Sequence, residues 1–175
     1  MLKLENITVL FDDLKALDHV NMEFMEGKIT GIIGTNGSGK STLMKVMTKL
    51  LKPQEGSVYL DQQLIQDKKK DLFAYRQEVN MVFQNPEQQL FYTIAKDDIR
   101  MALENLGYSK EECDKRVQEA IELMDIKELQ DRPVQYLSYG QKKKVAIAGM
   151  LALKPRFLLL DEPTAGLDPK GRDQM

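Results

Sequence analysis

The sequence predicts an α/β domain built on a parallel sheet. Three observations carry this. Short apolar runs at Ile29–Ile33 and Phe157–Leu160 suit buried strands. Helical periodicity fills much of the chain between them, and helices between apolar strands give a parallel sheet. A glycine-rich loop joins the first run to a helical pattern at Lys40.

The elements follow in order. Ile7, Val9 and Phe11 alternate with Thr8 and Leu10, and Val20, Met22 and Phe24 alternate with Asn21 and Glu23, so the N-terminal part reads as strands. Gly27 marks a turn before the Ile29–Ile33 strand. Leu43, Val46, Met47 and Leu50 recur at spacings of three and four, which predicts a helix from Lys40 to Leu51, stopped by Pro53 and Gly56. Ser57–Leu60 reads as a strand. Lys68, Lys69 and Lys70 are expected in a solvated loop or helix start. Val79–Phe83 is another strand, and Gln84–Leu90 is a polar loop. Helices are expected at Ile94–Leu106, from Ser109 with Glu112 in a capping box, and at Ser138–Leu153. Cys113 falls on an apolar helix face and reads as a small buried hydrophobe. Ala146, Ala148, Gly149 and Ala152 permit close helix packing.

Composition bounds the function. With 25 Lys+Arg against 27 Asp+Glu in 175 residues, net charge −2, no large basic surface for nucleic acid is expected. A single Cys excludes an internal disulfide. The longest apolar run, Val145–Leu153, is far short of the ~20 residues of a membrane span. Lys3 and Glu5 interrupt any leader-like stretch. The expectation is a soluble intracellular chain of one domain, two at most.

The strongest chemical signal is Gly34-Thr35-Asn36-Gly37-Ser38-Gly39-Lys40-Ser41, a G-x-x-x-x-G-K-S loop followed by Thr42 and a helical pattern. Glycines let the backbone curl so that successive N–H groups face phosphate oxygens. The following helix adds roughly half a positive charge at its N-terminus. Lys40 reaches the β- and γ-phosphates and Ser41 ligates Mg²⁺ in such loops. The second signal is the apolar strand Phe157–Leu160 ending in Asp161 and Glu162. Asp161 is placed to hold Mg²⁺ at the sheet edge, and Glu162 to hold or deprotonate a water.

Further motifs resemble the ATP-binding subunits of ABC transporters. Gln84 follows a strand as that family's Q-loop glutamine does. Leu137-Ser138-Tyr139-Gly140-Gln141 looks like its signature, and Asp161-Glu162-Pro163-Thr164 with Ala165-Gly166-Leu167-Asp168 looks like its Walker B and D-loop run. Phe83–Phe91, Asp98–Gly107 and Lys142–Gly149 are similar to the cobalt-type and energy-coupling-factor branch. The resemblance implies an N-terminal antiparallel β region, a parallel core sheet and a helical signature subdomain. It divides the chain into a β-rich core at 1–33 and 54–83, the phosphate loop and helix at 34–53, the Q-loop and signature subdomain at 84–153, and Walker B with the D-loop at 154–175.

The resemblance also implies a mechanism. Two ATPase subunits, alike or different, sandwich ATP between the Gly34–Thr42 loop of one and Ser138, Tyr139, Gly140 and Gln141 of the other. Glu162 and Gln84 act on the water, while Ser41, Gln84 and Asp161 hold Mg²⁺. Asp168 crosses the interface. Phe11 either stacks on adenine or is a strand core residue. The loop after Gln84 receives a transmembrane coupling subunit, which works with a substrate-capture membrane subunit. The whole sits at the cytoplasmic face of the membrane as a peripheral importer subunit for cobalt, nickel or a vitamin.

Two departures stand out. Tyr139 replaces a usual glycine of the signature. The family's switch histidine, carried on a strand beyond Walker B, is absent, since the only His is His19, expected at a surface or strand edge. That strand lies between the two motif strands in the family. Its absence leaves unpaired groups at about 1–3 kcal/mol each, against a total stability of ~5–15 kcal/mol. The chain is therefore expected to be a C-terminally truncated or partial sequence, about two-thirds of a larger domain, that folds poorly and hydrolyses weakly alone. The open alternatives are an ATP-binding fragment without effective hydrolysis and a soluble ABC ATPase unconnected with transport.

Overall fold

The computed structural model describes residues 1–166. The chain divides into two compact units, Met1–Met81 and a second beginning at Val82.

The first unit holds an antiparallel sheet. Strand β1 (Leu2–Phe11) pairs with β2 (Leu14–Phe24) on one side and with β3 (Glu55–Leu60) on the other, and β4 (Gln63–Leu64) closes the order β2-β1-β3-β4. The buried side chains of β1 are Leu2 and Leu4, then Ile7 to Val9. That change of parity falls on a register shift between Leu4 and Ile7, where Asn6 adopts φ 53°. An extra residue turns the apolar face over, as a bulge does. Gly56 crosses β1 at this point with φ 90°, and a Cβ there would sit 2.3 Å from the Asn6 carbonyl oxygen. Further shifts toward the hairpin leave Phe11 about half exposed.

Helix α1 (Lys40–Met47) buries Leu43, Val46 and Met47, as the spacing requires, but ends four residues before Leu51. Thr48 caps its backbone, and its hydroxyl donates to Met44 O at 3.0 Å. The lysine run opens helix α2 (Lys69–Glu78). The buried Tyr75 hydroxyl of α2 donates to the Met47 carbonyl, anchoring α2 on the end of α1. Strand β5 (Val79–Val82) follows.

One expectation is corrected here. Residues 28–34 form no strand, and Ile29 and Ile33 are wholly exposed. An apolar run becomes a buried strand only when neighbouring strands take up its backbone groups. Among the described residues none pairs with this segment.

The second unit is mainly helical. Helices α3 (Ala95–Asn105), α4 (Lys110–Leu123) and α5 (Tyr139–Ala152) enclose a core that includes Ile99, Leu103, Cys113, Ile121 and Val145. Ser109 caps α4 by accepting the Glu112 N–H at 3.2 Å. Arg100 pairs with Asp114 to tie α3 to α4. Gly149 brings α5 against the backbone of Ile99. Strand β6 (Phe157–Leu160) joins β5 in a two-stranded sheet, and the Asp161 N–H continues it to Val82 O at 3.0 Å. His19 is exposed in β2, as expected.

Leu103→Ala is expected to cost about 2–5 kcal/mol by emptying the centre of the helical core, and Ser109→Ala about 1 kcal/mol by removing a cap. Urea unfolding followed by circular dichroism checks both.

Candidate functional site

The glycine-rich loop lies in the first unit. Gly37 and Gly39 take φ 81° and 89°, the left-handed region that glycine enters without strain. Ser38 N–H closes the turn on Thr35 O at 3.2 Å. Gly34 packs so closely on Ser38 that a Cβ would fall 2.5 Å from its Oγ. Gly39 is the N-cap of α1 and supplies no side-chain cap, and the first turn holds no acidic residue. The N–H groups there lack intrahelical partners, so the helix end favours an anion. The Lys40 ammonium folds back over the loop, donating to Gly34 O at 3.0 Å and Thr35 O at 2.9 Å. Those bonds are exchangeable for phosphate oxygens. The cradle, the uncapped helix end and the lysine all suit a nucleotide triphosphate. Thr35, Asn36, Ser41 and Thr42 lie in or directly after the loop. Phe11 ends β1 and is exposed, so it is not a strand core residue.

A separate acidic cluster lies in the second unit. Asp161 is buried at the end of β6, and Glu162 follows with φ 45°. Gln84, just past β5, donates from Nε2 to Glu162 Oε2 at 2.6 Å. Two residues of α5 converge on the same backbone. The Tyr139 hydroxyl donates to Gln84 O at 2.7 Å. The Lys143 ammonium donates to Gln84 O at 3.1 Å and Glu162 O at 2.7 Å. Burial pushes the Lys143 ammonium below the ordinary lysine range, and the Asp161 and Glu162 carboxylates pull the other way.

Ser138 caps α5 in a reciprocal box. Its Oγ accepts the Gln141 N–H at 3.3 Å, and its own N–H donates to Gln141 Oε1 at 2.9 Å. Gln141 thus orients the helix end, with Tyr139 and Gly140 in its first turn. Sequence reasoning missed Lys143, hidden in a run of three lysines. A signal existed: it stands three and four residues before Ala146 and Ile147, on the buried side of α5. Asp168 lies outside the described residues.

Beside the Gln84 loop is a groove of about 280 Å³ lined by Glu87, Leu90, Phe91, Tyr92, Val134 and Lys142. Asp98 shapes its wall, accepting the Phe91 and Tyr92 N–H groups, each at 2.7 Å. Burial raises the Asp98 carboxyl above the ordinary range, and these N–H groups offset part of that rise. Phe91 remains largely exposed.

Residues 17–165 match the ABC transporter family. The cobalt import ATP-binding protein CbiO of Salmonella paratyphi A is 47% identical over 175 residues, which is 100% of this chain and 65% of that protein. The energy-coupling factor transporter ATP-binding protein EcfA2 of Caldanaerobacter subterraneus subsp. tengcongensis is 46% identical over 180 residues, covering 99% of this chain and 63% of that one. The chain thus spans less than two-thirds of the length of these relatives. Among solved structures, a dimeric post-hydrolysis state of the ATP-binding cassette MJ0796 with ADP and Pi superposes with a TM-score of 0.89. It shares 32% identity over 99% of this chain and 79% of that one.

Gly39→Ala is expected to destabilise the first unit by about 1–3 kcal/mol. It imposes a strained φ and a Cβ 2.5 Å from Ala16 O. A lowered melting temperature relative to Gly37→Ala, where no atom lies within 4 Å, checks the steric part.

Proposed function

The chain belongs to the ABC transporter family, and on that premise we propose that it is an ATP-binding and ATP-hydrolysing importer subunit. The observation that carries this reading is the Gln84–Glu162 hydrogen bond, which pairs the Q-loop glutamine with the glutamate after Walker B at 2.6 Å. A carboxylate and an amide in such contact can receive one water and orient it for attack on a phosphorus atom.

Each element then has a role. The uncapped α1 N-terminus and Lys40 bind the β- and γ-phosphates, with Gly34, Thr35, Asn36, Gly37, Ser38, Gly39, Ser41 and Thr42 shaping the cradle. Phe11 stacks on adenine. Ser41, Asp161 and Gln84 would hold Mg²⁺, which would supply charge neutralisation to the phosphates. Glu162 holds the water and takes its proton. Ser138, Tyr139, Gly140 and Gln141 present a second helix N-terminus to the ATP of a partner subunit, and Asp168 reaches across that interface. Loss of the shared γ-phosphate charge lets the pair separate.

The groove beside Gln84 has exposed aromatics at its edge and suits a helix of a transmembrane coupling subunit. The similarity to a cobalt import protein and to an energy-coupling factor protein supports a cobalt, nickel or vitamin importer acting at the cytoplasmic membrane face. No helix among the described residues is long and apolar enough to cross a membrane.

With Mg²⁺ present, Lys40→Ala is expected to weaken ATP binding by about tenfold or more, read by fluorescent-nucleotide titration. Glu162→Gln is expected to keep binding, lose phosphate release and accumulate an ATP-bound dimer, read by light scattering. ATP binding by the wild type with no phosphate release selects the non-hydrolysing alternative.

A further inference from the structure

We propose that Lys143 is a positioning residue for hydrolysis, fixing the main chain at both ends of the Gln84–Glu162 pair, with Tyr139 as its accessory. The inference rests on the reading that this pair acts on water.

Lys143 is wholly buried, although lysine is among the residues least often found so. Removing an ammonium from water is costly unless its donors are satisfied. Here two of its three donors go to main-chain carbonyls, Gln84 O at 3.1 Å and Glu162 O at 2.7 Å. A lysine that served only to fill space would be replaceable by methionine at no such cost.

The geometry it enforces is unusual. Glu162 adopts φ 45°, a conformation costing an L residue about 1–2 kcal/mol. Its carbonyl receives the Lys143 ammonium and the Ala165 N–H, the latter at 3.1 Å. Gln84 O likewise receives two donors, Lys143 and Tyr139. Both residues of the Gln84–Glu162 pair are therefore held by their backbones, leaving the side chains to exchange partners with water.

Tyr139 and Lys143 stand one turn apart on α5, and the ammonium lies 5.7 Å from the centre of the tyrosine ring. That distance is within cation–π reach. Gly166 packs on the same ring, where a Cβ would come within 2.9 Å of it. Tyr139, where the sequence departs from the usual signature glycine, therefore seats the loop after Glu162 as well as holding Gln84.

The test measures steady-state phosphate release in the full chain, expressed per nucleotide-binding site found by titration, so that unfolded molecules are not counted. K143M keeps the volume and removes the donors. It is expected to lower kcat about tenfold or more while ATP KM stays within about twofold. Y139F removes one hydroxyl from a part-exposed ring and is expected to lower kcat about two- to fivefold with the same KM. K143M turnover per site equal to wild type overturns the proposal while leaving the hydrolytic reading intact. Where K143M does not fold, Y139F decides: unchanged turnover overturns the proposal, and a selective fall in kcat supports it. A wild-type chain that binds ATP and releases no phosphate overturns the hydrolytic reading, and the proposal with it.

Discussion

One buried charge organises the second unit. Lys143 can reach Gln84 O and Glu162 O only because α5 lies deep, and α5 lies deep because its contact surface is small. Ala148, Gly149 and Ala152 let its backbone approach α3, with Gly149 against Ile99. Val145 and Ala148 fill the core beneath. Helix packing thus sets where the ammonium arrives, and the ammonium sets where two loops end. The chemistry-bearing side chains inherit their positions from packing contacts in which alanine and glycine allow the close approach.

The N-termini of α1 and α5, which carry the glycine-rich loop and the signature motif, are electrostatically unlike. At α1 the N-cap is glycine, with no side-chain acceptor and no acidic neighbour. Its positive end is left for an anion to satisfy. At α5 the serine and glutamine of a capping box already satisfy each other. A phosphate arriving there meets a helix end that is stable without it. The first end leaves its N–H groups without a side-chain cap, whereas the second is closed by its own capping box.

Much of this was legible in the sequence, residue by residue. The spacing of Leu43, Val46 and Met47 gave the buried face of α1, and Ser109 and Ser138 marked helix starts that the structure confirms as caps. The family resemblance named the Gln84 and Glu162 roles, and the fold brings those two side chains together. What was not legible came from long-range effects. The bulge at Asn6 is made by strand pairing, and so are the register shifts beyond it, next to which Phe11 stands about half exposed. Ile29–Ile33 has the composition of a buried strand, but strand formation depends on a neighbour that no local pattern encodes. Lys143 was masked by Lys142 and Lys144, because a run of charge reads as solvated while only its middle member faces inward. Lys142 instead pairs with Glu87.

The hydrogen bonds of the glycine-rich loop and of the acidic cluster differ in how much chain they close. In the phosphate loop they join Ser38 to Thr35, Lys40 to Gly34 and Thr35, and Leu43 to Gly39. In the acidic cluster, Gln84 and Glu162 are 78 residues apart, and Lys143 and Gln84 are 59. Loop-closure entropy makes contacts of the second kind late and slow. On a chain emerging from the ribosome, the phosphate loop can take its hydrogen-bonded shape as soon as α1 exists. The contacts among Gln84, Lys143 and Glu162 assemble only after Glu162 has been made. A nascent chain can therefore acquire the shape of its glycine-rich loop well before the long-range contacts of Gln84 with Lys143 and Glu162 can form.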